Sequence, residues 1–384
     1  MERKKIILLA SDESTAPLYR VRLLAKLLER RYEVEVVGFQ FGETERNAPR
    51  DFEYLSLEAR NNCFSFLEQA GKAKGFLKGD LIYAMKPRPT SLGLALWHRK
   101  KSGIPVAVDV DDDELSMIAP FSKYRLKNFL YGLPKLGQPN CFAYTLLLDS
   151  LVRKADAVTV VSERFRKRYG GELIYQYVDT ATFDPRRFDR DGIRREEGLG
   201  EVFSIAFVGI ALPNKGVENI LKAMDGLSKE CRLWIIGPKT EYARKLADRD
   251  GRVDLFGTRS PQEVPRFLAA ADLVVLPQKK GPHSDGQMPI KLFEAMAMAK
   301  PIVATGLADI PKILSGCGLV VPPDDIVSLR EALHLLTRAP GLAGALGALA
   351  RSRCLSEYSW ERGIEKMAGL FDPLLEKKIE KKRR

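Results

Sequence analysis

Short apolar runs alternate along this chain with stretches in which apolar side chains recur every three or four positions. In the first half the runs are KKIILLA, EVEVVG, DLIYAM, IPVAVDV, ADAVTVVS and LIYQYV. Each has strand length, and between the first two, Leu18, Val21, Leu24, Ala25 and Leu28 keep a helical period. After about residue 190 the alternation restarts with FSIAFVG, RLWIIG, RVDLFG, ADLVVLP, KPIVAT and GLVVP. Strands separated by helical stretches predict parallel sheets, here two doubly wound α/β units. The expected division is 1–185, 186–355, and a C-terminal helix with a basic tail over 356–384. The segment 179–200 is charged, poor in aliphatic residues and contains Pro185 and three glycines, so it reads as a hinge between the units.

Composition narrows the classes. With 384 residues, 45% hydrophobic and 29% charged, the chain has the apolar content of a folded protein with two cores. No apolar run approaches the ~18–20 residues that cross a bilayer. MERKKIILLASDE reads as a first strand and not as a signal peptide. The five cysteines (Cys63, Cys141, Cys231, Cys317 and Cys354) are scattered without CxxC spacing, so neither a zinc site nor a disulfide framework is expected and a cytoplasmic setting is the default. His98, His283 and His334 do not cluster.

The net charge of +12 changes the picture because it is local. Residues 115–170 carry 10 basic and 3 acidic side chains (10 − 3 = +7), and 376–384 carry 6 and 2 (6 − 2 = +4). The first of these mixes Lys and Arg with Phe, Tyr, Leu and Met, a composition suited to an anionic membrane surface, although a solvated basic face has the same residues. Nucleic-acid binding is disfavoured because no recognisable motif accompanies the charge.

Two loop-to-helix junctions carry candidate chemistry. FSIAFVG leads into IALPNKG and a helix with Val217, Ile220, Leu221, Met224 and Leu227 on one face. Gly209 and Gly216 bracket that loop, which also holds Asn214, and Lys215 stands at the helix start. Free N–H groups, the helix dipole and a lysine together suit a diphosphate. The spacing is not that of a Walker loop. ADLVVLPQ then leads through KKGPHSDGQMP into IKLFEAMAMA. Lys291 and Glu294 are three apart, near one helix face, where a carboxylate can accept hydrogen bonds from ribose hydroxyls.

The order VG…KG…ADLVVLP…PIKLFEAMAMAKPIVAT…GCGLVVPPDD…SW resembles glycosyltransferase family 4, which has the GT-B fold, and the resemblance spans essentially the whole chain. It implies two Rossmann-like domains facing a cleft, a final helix returning to the N-terminal domain, nucleotide-sugar binding by the second domain and acceptor presentation by the first. By position it implies Lys215 as a diphosphate ligand and Glu294 as a ribose ligand. Gly209, Asn214 and Gly216 fall in the first donor loop, with Asp285, Gly286, Gln287, Met288, Pro289, Ile290 and Lys291 in the second. The chain departs from the family pattern at Ile210, where an Arg is common. It departs again at Gly286, where the first carboxylate of a Glu-x7-Glu pair would stand, with Asp285 next to it. The resemblance implies a UDP- or GDP-sugar as substrate, no required cofactor, no metal, and transfer with retention to a glycan or lipid-linked acceptor.

The acidic run Asp109, Asp111, Asp112, Asp113 and Glu114 ends the strand IPVAVDV, and mutual repulsion should raise some of its pKa values. The family commonly has a His near the transferred sugar at the position of Asp111, which makes Asp111 a candidate catalytic residue alongside Lys215 and Glu294. The alternative is that the run caps the next helix and balances nearby cations. Arg20, Arg22, Lys86 and Arg88 are acceptor-side candidates as anion contacts. A sugar-nucleotide epimerase or phosphorylase, and a non-catalytic nucleotide-sugar or membrane-binding protein, remain alternative readings. The expected location is cytoplasmic, with a peripheral seat on the inner face of the membrane as the accompanying expectation.

Overall fold

A computed structural model describes residues 3–12, 18–42, 54–119, 125–227, 230–281 and 284–383. The chain forms two compact units, residues 1–175 with 363–384, and residues 176–362.

In the first unit, seven strands form one sheet: β1 (Lys5–Leu9), β2 (Glu33–Gln40), β3 (Tyr54–Glu58), β4 (Leu81–Met85), β5 (Val106–Val110), β6 (Ala157–Val160) and β7 (Glu172–Leu173). Their order is β3-β2-β1-β4-β5-β6-β7, with every pairing parallel. Such a sheet is covered on both faces, so its central strands read as continuous apolar runs. Ile6 to Leu9 are all fully buried, and Ile6 pairs with Val34 on one side and Leu81 on the other. Helix Leu18–Leu28 buries Val21, Leu24, Ala25 and Leu28, the positions its period marks.

Two details differ from the sequence pattern. β3 was not among the expected strands; its residues YLSLE form an edge strand in which Leu57 is buried and Glu58 exposed, a weaker signal than a continuous run. The run LIYQYV leaves the sheet after Leu173, because the carbonyls of Ile174 and Tyr175 accept hydrogen bonds from the buried Arg20 guanidinium, both at 2.9 Å.

The C-terminal part of helix Trp360–Arg383 belongs to this unit. Phe371 packs edge-on against Tyr83 at 5.1 Å, and Asp372 accepts from the Tyr32 hydroxyl at 2.7 Å and from Arg31 at 2.6 Å.

The second unit has six parallel strands: β8 (Phe203–Val208), β9 (Cys231–Ile236), β10 (Val253–Gly257), β11 (Leu273–Leu276), β12 (Ile302–Thr305) and β13 (Leu319–Val321). Their order is β10-β9-β8-β11-β12-β13. Helix Val217–Met224 buries Val217, Ile220, Leu221 and Met224 in a core shared with Leu233, Leu273 and Leu333.

The observed divisions fall at 175/176 and 362/363 instead of 185/186 and 355/356. Residues 179–200 lie inside the second unit. Arg194, 1% exposed, donates to the carbonyls of Gly200 (2.9 Å), Val202 and Ala270 (3.1 Å) and pairs with Asp272 at 3.1 Å. Asp184 pairs with Arg351 at 3.1 Å. A charged segment that looked solvated is fixed by buried guanidinium contacts.

In both sheets the first strand is internal. β1 lies between β2 and β4, and β8 lies between β9 and β11. These are the points where strand order reverses, and ligands of open α/β sheets bind beyond the strand ends there.

Candidate functional site

In the second unit the two candidate loops meet at the switch point. Gly209 (φ 138°) follows the last residue of β8, and the chain then makes a short 3-10 turn, Pro213–Lys215, before helix Val217–Met224. Gly216 carries φ +72°, and a Cβ there would stand 2.0 Å from the Pro277 carbonyl oxygen. The close packing of these loops therefore needs glycine twice over, for the dihedral and for the space. Gly237, at the end of β9, is pressed equally close: its Cβ would lie 2.0 Å from the Gly209 carbonyl oxygen. Gly216→Ala should destabilise the second unit by roughly 2–4 kcal/mol in urea unfolding, from strained dihedral plus clash. A change below about 0.5 kcal/mol would contradict this placement.

The loop after β11 is tied to this turn by the Lys279 amide, which donates to the Asn214 carbonyl at 3.1 Å. Thr305, at the end of neighbouring β12, donates to the Gln278 carbonyl at 2.8 Å, and Gln278 donates through its side chain to Gln287 at 3.2 Å. Beyond Pro289, helix Ile290–Ala297 begins. Gly286 and Met288 are buried, whereas Asp285, Gln287, Pro289 and Ile290 are half-buried. Glu294 is 6% exposed among Leu292, Phe293 and Ala295, and both its oxygens accept from Lys291 Nζ, at 3.1 and 2.8 Å. The structure thus brings Asn214, Lys215 and Gly216 beside the 277–287 loop, and joins Lys291 to Glu294. Two helices of adequate length start here, with first-turn N–H groups that lack partners inside the helix. Gln278 and Thr305, which couple the loops, were missed; polar residues at the C-terminal ends of β11 and β12 are the signal that marks them. His283 lies outside the described residues.

In the first unit the switch point holds a small hollow lined by Ala10, Ser11, Asp12, Arg20, Val21, Met85, Lys86 and Asp111. Of the acceptor-side candidates, Arg20, Lys86 and Arg88 face carboxylates. Arg20 is 4% exposed and forms a two-pronged pair with Asp109, both contacts 3.0 Å. Asp109 also accepts from Tyr83 (3.1 Å) and Thr159 (2.6 Å), polar groups on the flanking strands β4 and β6. Arg20 is therefore a buried cation whose donors face Asp109 and two carbonyls. Arg22 is half-buried on the same helix.

Lys86 adopts φ +73°, a left-handed conformation that costs a non-glycine residue about 1–3 kcal/mol and recurs at functional sites. Its ammonium lies 2.7 Å from Asp112, 2.7 Å from Glu114 and 3.4 Å from Asp111. Arg88 pairs with the other oxygen of Glu114. Lys86 and Arg88 thus both face the acidic run. Burial opposes the charge on Lys86, but Asp111, Glu114 and Asp112 outweigh it and raise its pKa. Oxygens of Asp111, Asp112 and Glu114 converge within 4.8 Å, a spacing that suits a metal ion, and the lysine ammonium fills that electrostatic role. Asp113 caps helix Glu114–Ile118 through the Ser116 amide at 3.3 Å.

Asp111 remains chemically distinct. Its Oδ1 and the Ser11 Oγ are both buried without a hydrogen-bond partner, and both residues line the hollow. Burial pushes the Asp111 carboxyl up to about 7; Lys86 opposes the rise, and Asp112, Asp109 and Glu114 add to it. Ser11 had no sequence signal beyond standing at the end of β1.

Residues 202–338 match the family model described as glycosyl transferases group 1. The chain is 26% identical over 244 residues to a GDP-mannose-dependent monoacylated alpha-(1-6)-phosphatidylinositol monomannoside mannosyltransferase of Corynebacterium glutamicum, covering 58% of this chain and 64% of that protein. It is 28% identical over 233 residues to a GDP-mannose-dependent alpha-(1-6)-phosphatidylinositol monomannoside mannosyltransferase of Mycobacterium tuberculosis, covering 56% and 60%. The matches thus span less than two thirds of these relatives. Among solved structures, Anabaena Alr3699/HepE in complex with UDP-glucose superposes with a TM-score of 0.74 at 16% identity, covering 96% of this chain and 100% of that one. WaaG, a glycosyltransferase involved in lipopolysaccharide biosynthesis, superposes with a TM-score of 0.67 at 15% identity, covering 95% and 99%. The fold is that of the GT-B glycosyltransferases.

Proposed function

We propose, from the match of residues 202–338 to the model of glycosyl transferases group 1, that the chain transfers a hexosyl group from a UDP- or GDP-sugar to a hydroxyl of a glycan or lipid-linked acceptor, with retention. The observation that carries the reading is the pair of tied strand–loop–helix junctions after β8 and β11, with Lys215, Lys291 and Glu294 on them. The donor diphosphate would lie against the helix starts, where Lys215 and backbone N–H groups of 286–290 meet charge as it develops on the leaving group. Glu294 would exchange one Lys291 contact for the ribose hydroxyls, freeing Lys291 toward phosphate. A leaving diphosphate oxygen takes the acceptor proton, so the reaction needs no enzymic base. In the first unit, Asp111 would accept from a sugar hydroxyl.

The named activity of the two mannosyltransferases puts GDP-mannose first in a donor panel of GDP- and UDP-sugars. A donor that raises the thermal midpoint and is then hydrolysed or transferred supports the reading. Binding without turnover would mark a nucleotide-sugar-binding protein, and no response to any donor would overturn both. A lipid-linked acceptor also fits an anionic membrane surface as partner, through 115–170 and the tail 376–384.

The raised Asp111 carboxyl gives the reading a pH signature. Only ionised Asp111 is a pure acceptor, so transfer should rise with pH through about 7, and Asp111→Asn should flatten that profile. Stability should run the opposite way. The folded carboxyl titrates above its unfolded value of about 4, so its contribution falls as pH rises from about 4 to about 7 and is constant beyond. Thermal midpoints of wild type and Asp111→Asn should accordingly diverge across that window, with the variant gaining as pH rises.

A further inference from the structure

Lys86 stands directly after β4, and its backbone is pinned on both sides. Its amide donates to the Asp109 carbonyl at 2.9 Å, and its carbonyl accepts from the Ser91 hydroxyl at 2.7 Å and from the Arg88 amide at 2.9 Å. These bonds hold φ at +73°, a region a lysine occupies only where the surroundings over-determine it. The side chain turns inward, and the residue is 3% exposed.

The ammonium divides its contacts unequally. It donates to Asp112 and to Glu114, both at 2.7 Å, yet stands 3.4 Å from Asp111 Oδ1, which has no hydrogen bond. The other charges around Asp111 have their own partners. Glu114 is shared with Arg88, and Asp113 faces Arg164 and Arg168, each at 3.7 Å. Arg20 lines the same hollow as Asp111 and directs donors to Asp109 and to two carbonyls. Asp12, beyond the end of β1, adds a further carboxyl to the lining. Burial, with Asp112, Asp109 and Glu114, favours the neutral acid at Asp111, and the Lys86 charge opposes them. A cation close by but not hydrogen-bonded stabilises the carboxylate without occupying the lone pairs of Oδ1.

We propose that Lys86 is a positioning residue for Asp111: it supplies the charge that keeps Asp111 a carboxylate and, by directing its own hydrogen bonds to Asp112 and Glu114, leaves Oδ1 open to a substrate hydroxyl. The left-handed backbone is then part of the device, because it aims an ammonium from the end of β4 at carboxylates that follow β5. The part Lys86 plays in transfer rests on the reading that Asp111 accepts from a sugar hydroxyl. Its hold on the Asp111 charge does not, and it can be measured in protein without donor.

The test follows the Asp111 carboxyl by carbon NMR in the full chain with isotope-labelled aspartate, its resonance identified by its loss in Asp111→Asn. Wild type should titrate at about 7. Lys86→Met should raise that midpoint by about one pH unit or more, because the opposing charge is gone. Lys86→Gly should do the same. Glycine accepts a positive φ without strain, so this variant removes the ammonium and still reports where the methionine variant fails to fold. Transfer gives the second readout. With saturating donor, kcat of Lys86→Gly should fall about fivefold near pH 7 and return to within about twofold of wild type near pH 9. A lysine that only braced the fold would lower kcat by the same factor at both values. An unmoved Asp111 midpoint in a folded variant, or a transfer profile of wild-type shape, overturns the proposal. Wild type that transfers from no donor at any pH overturns the transfer reading instead, and the donor-free titration still decides whether Lys86 holds the Asp111 charge.

Discussion

Lys215→Ala should lower the rate of hexosyl transfer by about two to three orders of magnitude while the fold survives. Lys215 closes the 3-10 turn before helix Val217–Met224, and its backbone amide donates to the Leu212 carbonyl at 2.9 Å. Alanine keeps that bond and removes only the ammonium. The charge that grows on a departing diphosphate would then meet helix N–H groups alone, in the place where a preorganised cation contributes most. The side chain is half-buried, so the cost to stability should stay within about 1 kcal/mol. Single-turnover transfer with saturating donor, read beside a urea titration, separates the two effects. A variant that transfers at the wild-type rate would remove Lys215 from the chemistry and with it the proposed placement of the diphosphate.

The second large effect concerns stability. Arg20→Met should cost about 3–5 kcal/mol in urea unfolding. Arg20 and Asp109 face each other with side chains 3% and 0% exposed, and a methionine would strand the carboxylate inside the sheet. Tyr83 and Thr159 would remain to hydrogen-bond it, but neither carries the opposing charge. The carbonyls of Ile174 and Tyr175 would lose their donors as well. Removing both charges, with Arg20→Met and Asp109→Leu together, should recover part of the loss, because a missing pair is tolerated better than a broken one. A single-variant cost below about 1 kcal/mol would mean that the pair is hydrated, contrary to its burial.

The fold was largely legible because parallel strands buried on both faces carry a strong, local signal. Twelve expected apolar runs hold every strand but β3, whose residues YLSLE mix polar with apolar at a sheet edge. The glycine and lysine of the PNKG turn and the Lys291–Glu294 spacing were equally local, since each depends on one loop or one helix. Charge was less legible. Arg20, Lys86 and Arg88 read as candidate anion contacts, and residues 179–200 as a charged hinge, because a sequence does not record which carboxylate lies opposite a guanidinium. Partners such as Arg20 with Asp109 stand 89 positions apart.

By itself, the sequence determined two doubly wound α/β units, the helix starts that suit a diphosphate and the local excess of positive charge. Periodicity, glycine placement and composition are properties of neighbours along the chain, so they survive without coordinates. Only the tertiary structure decided that Lys86 sits inside the acidic run, that Asp111 Oδ1 and Ser11 Oγ lie buried without a hydrogen bond on residues lining one hollow, and that the start of helix Cys63–Ala73 adjoins the turn at Leu136 and Gly137. Each of these joins strands or helices remote in sequence. Burial and electrostatic pairing are set by that juxtaposition, and the same residues left in solvent would carry ordinary charges and ordinary pKa values.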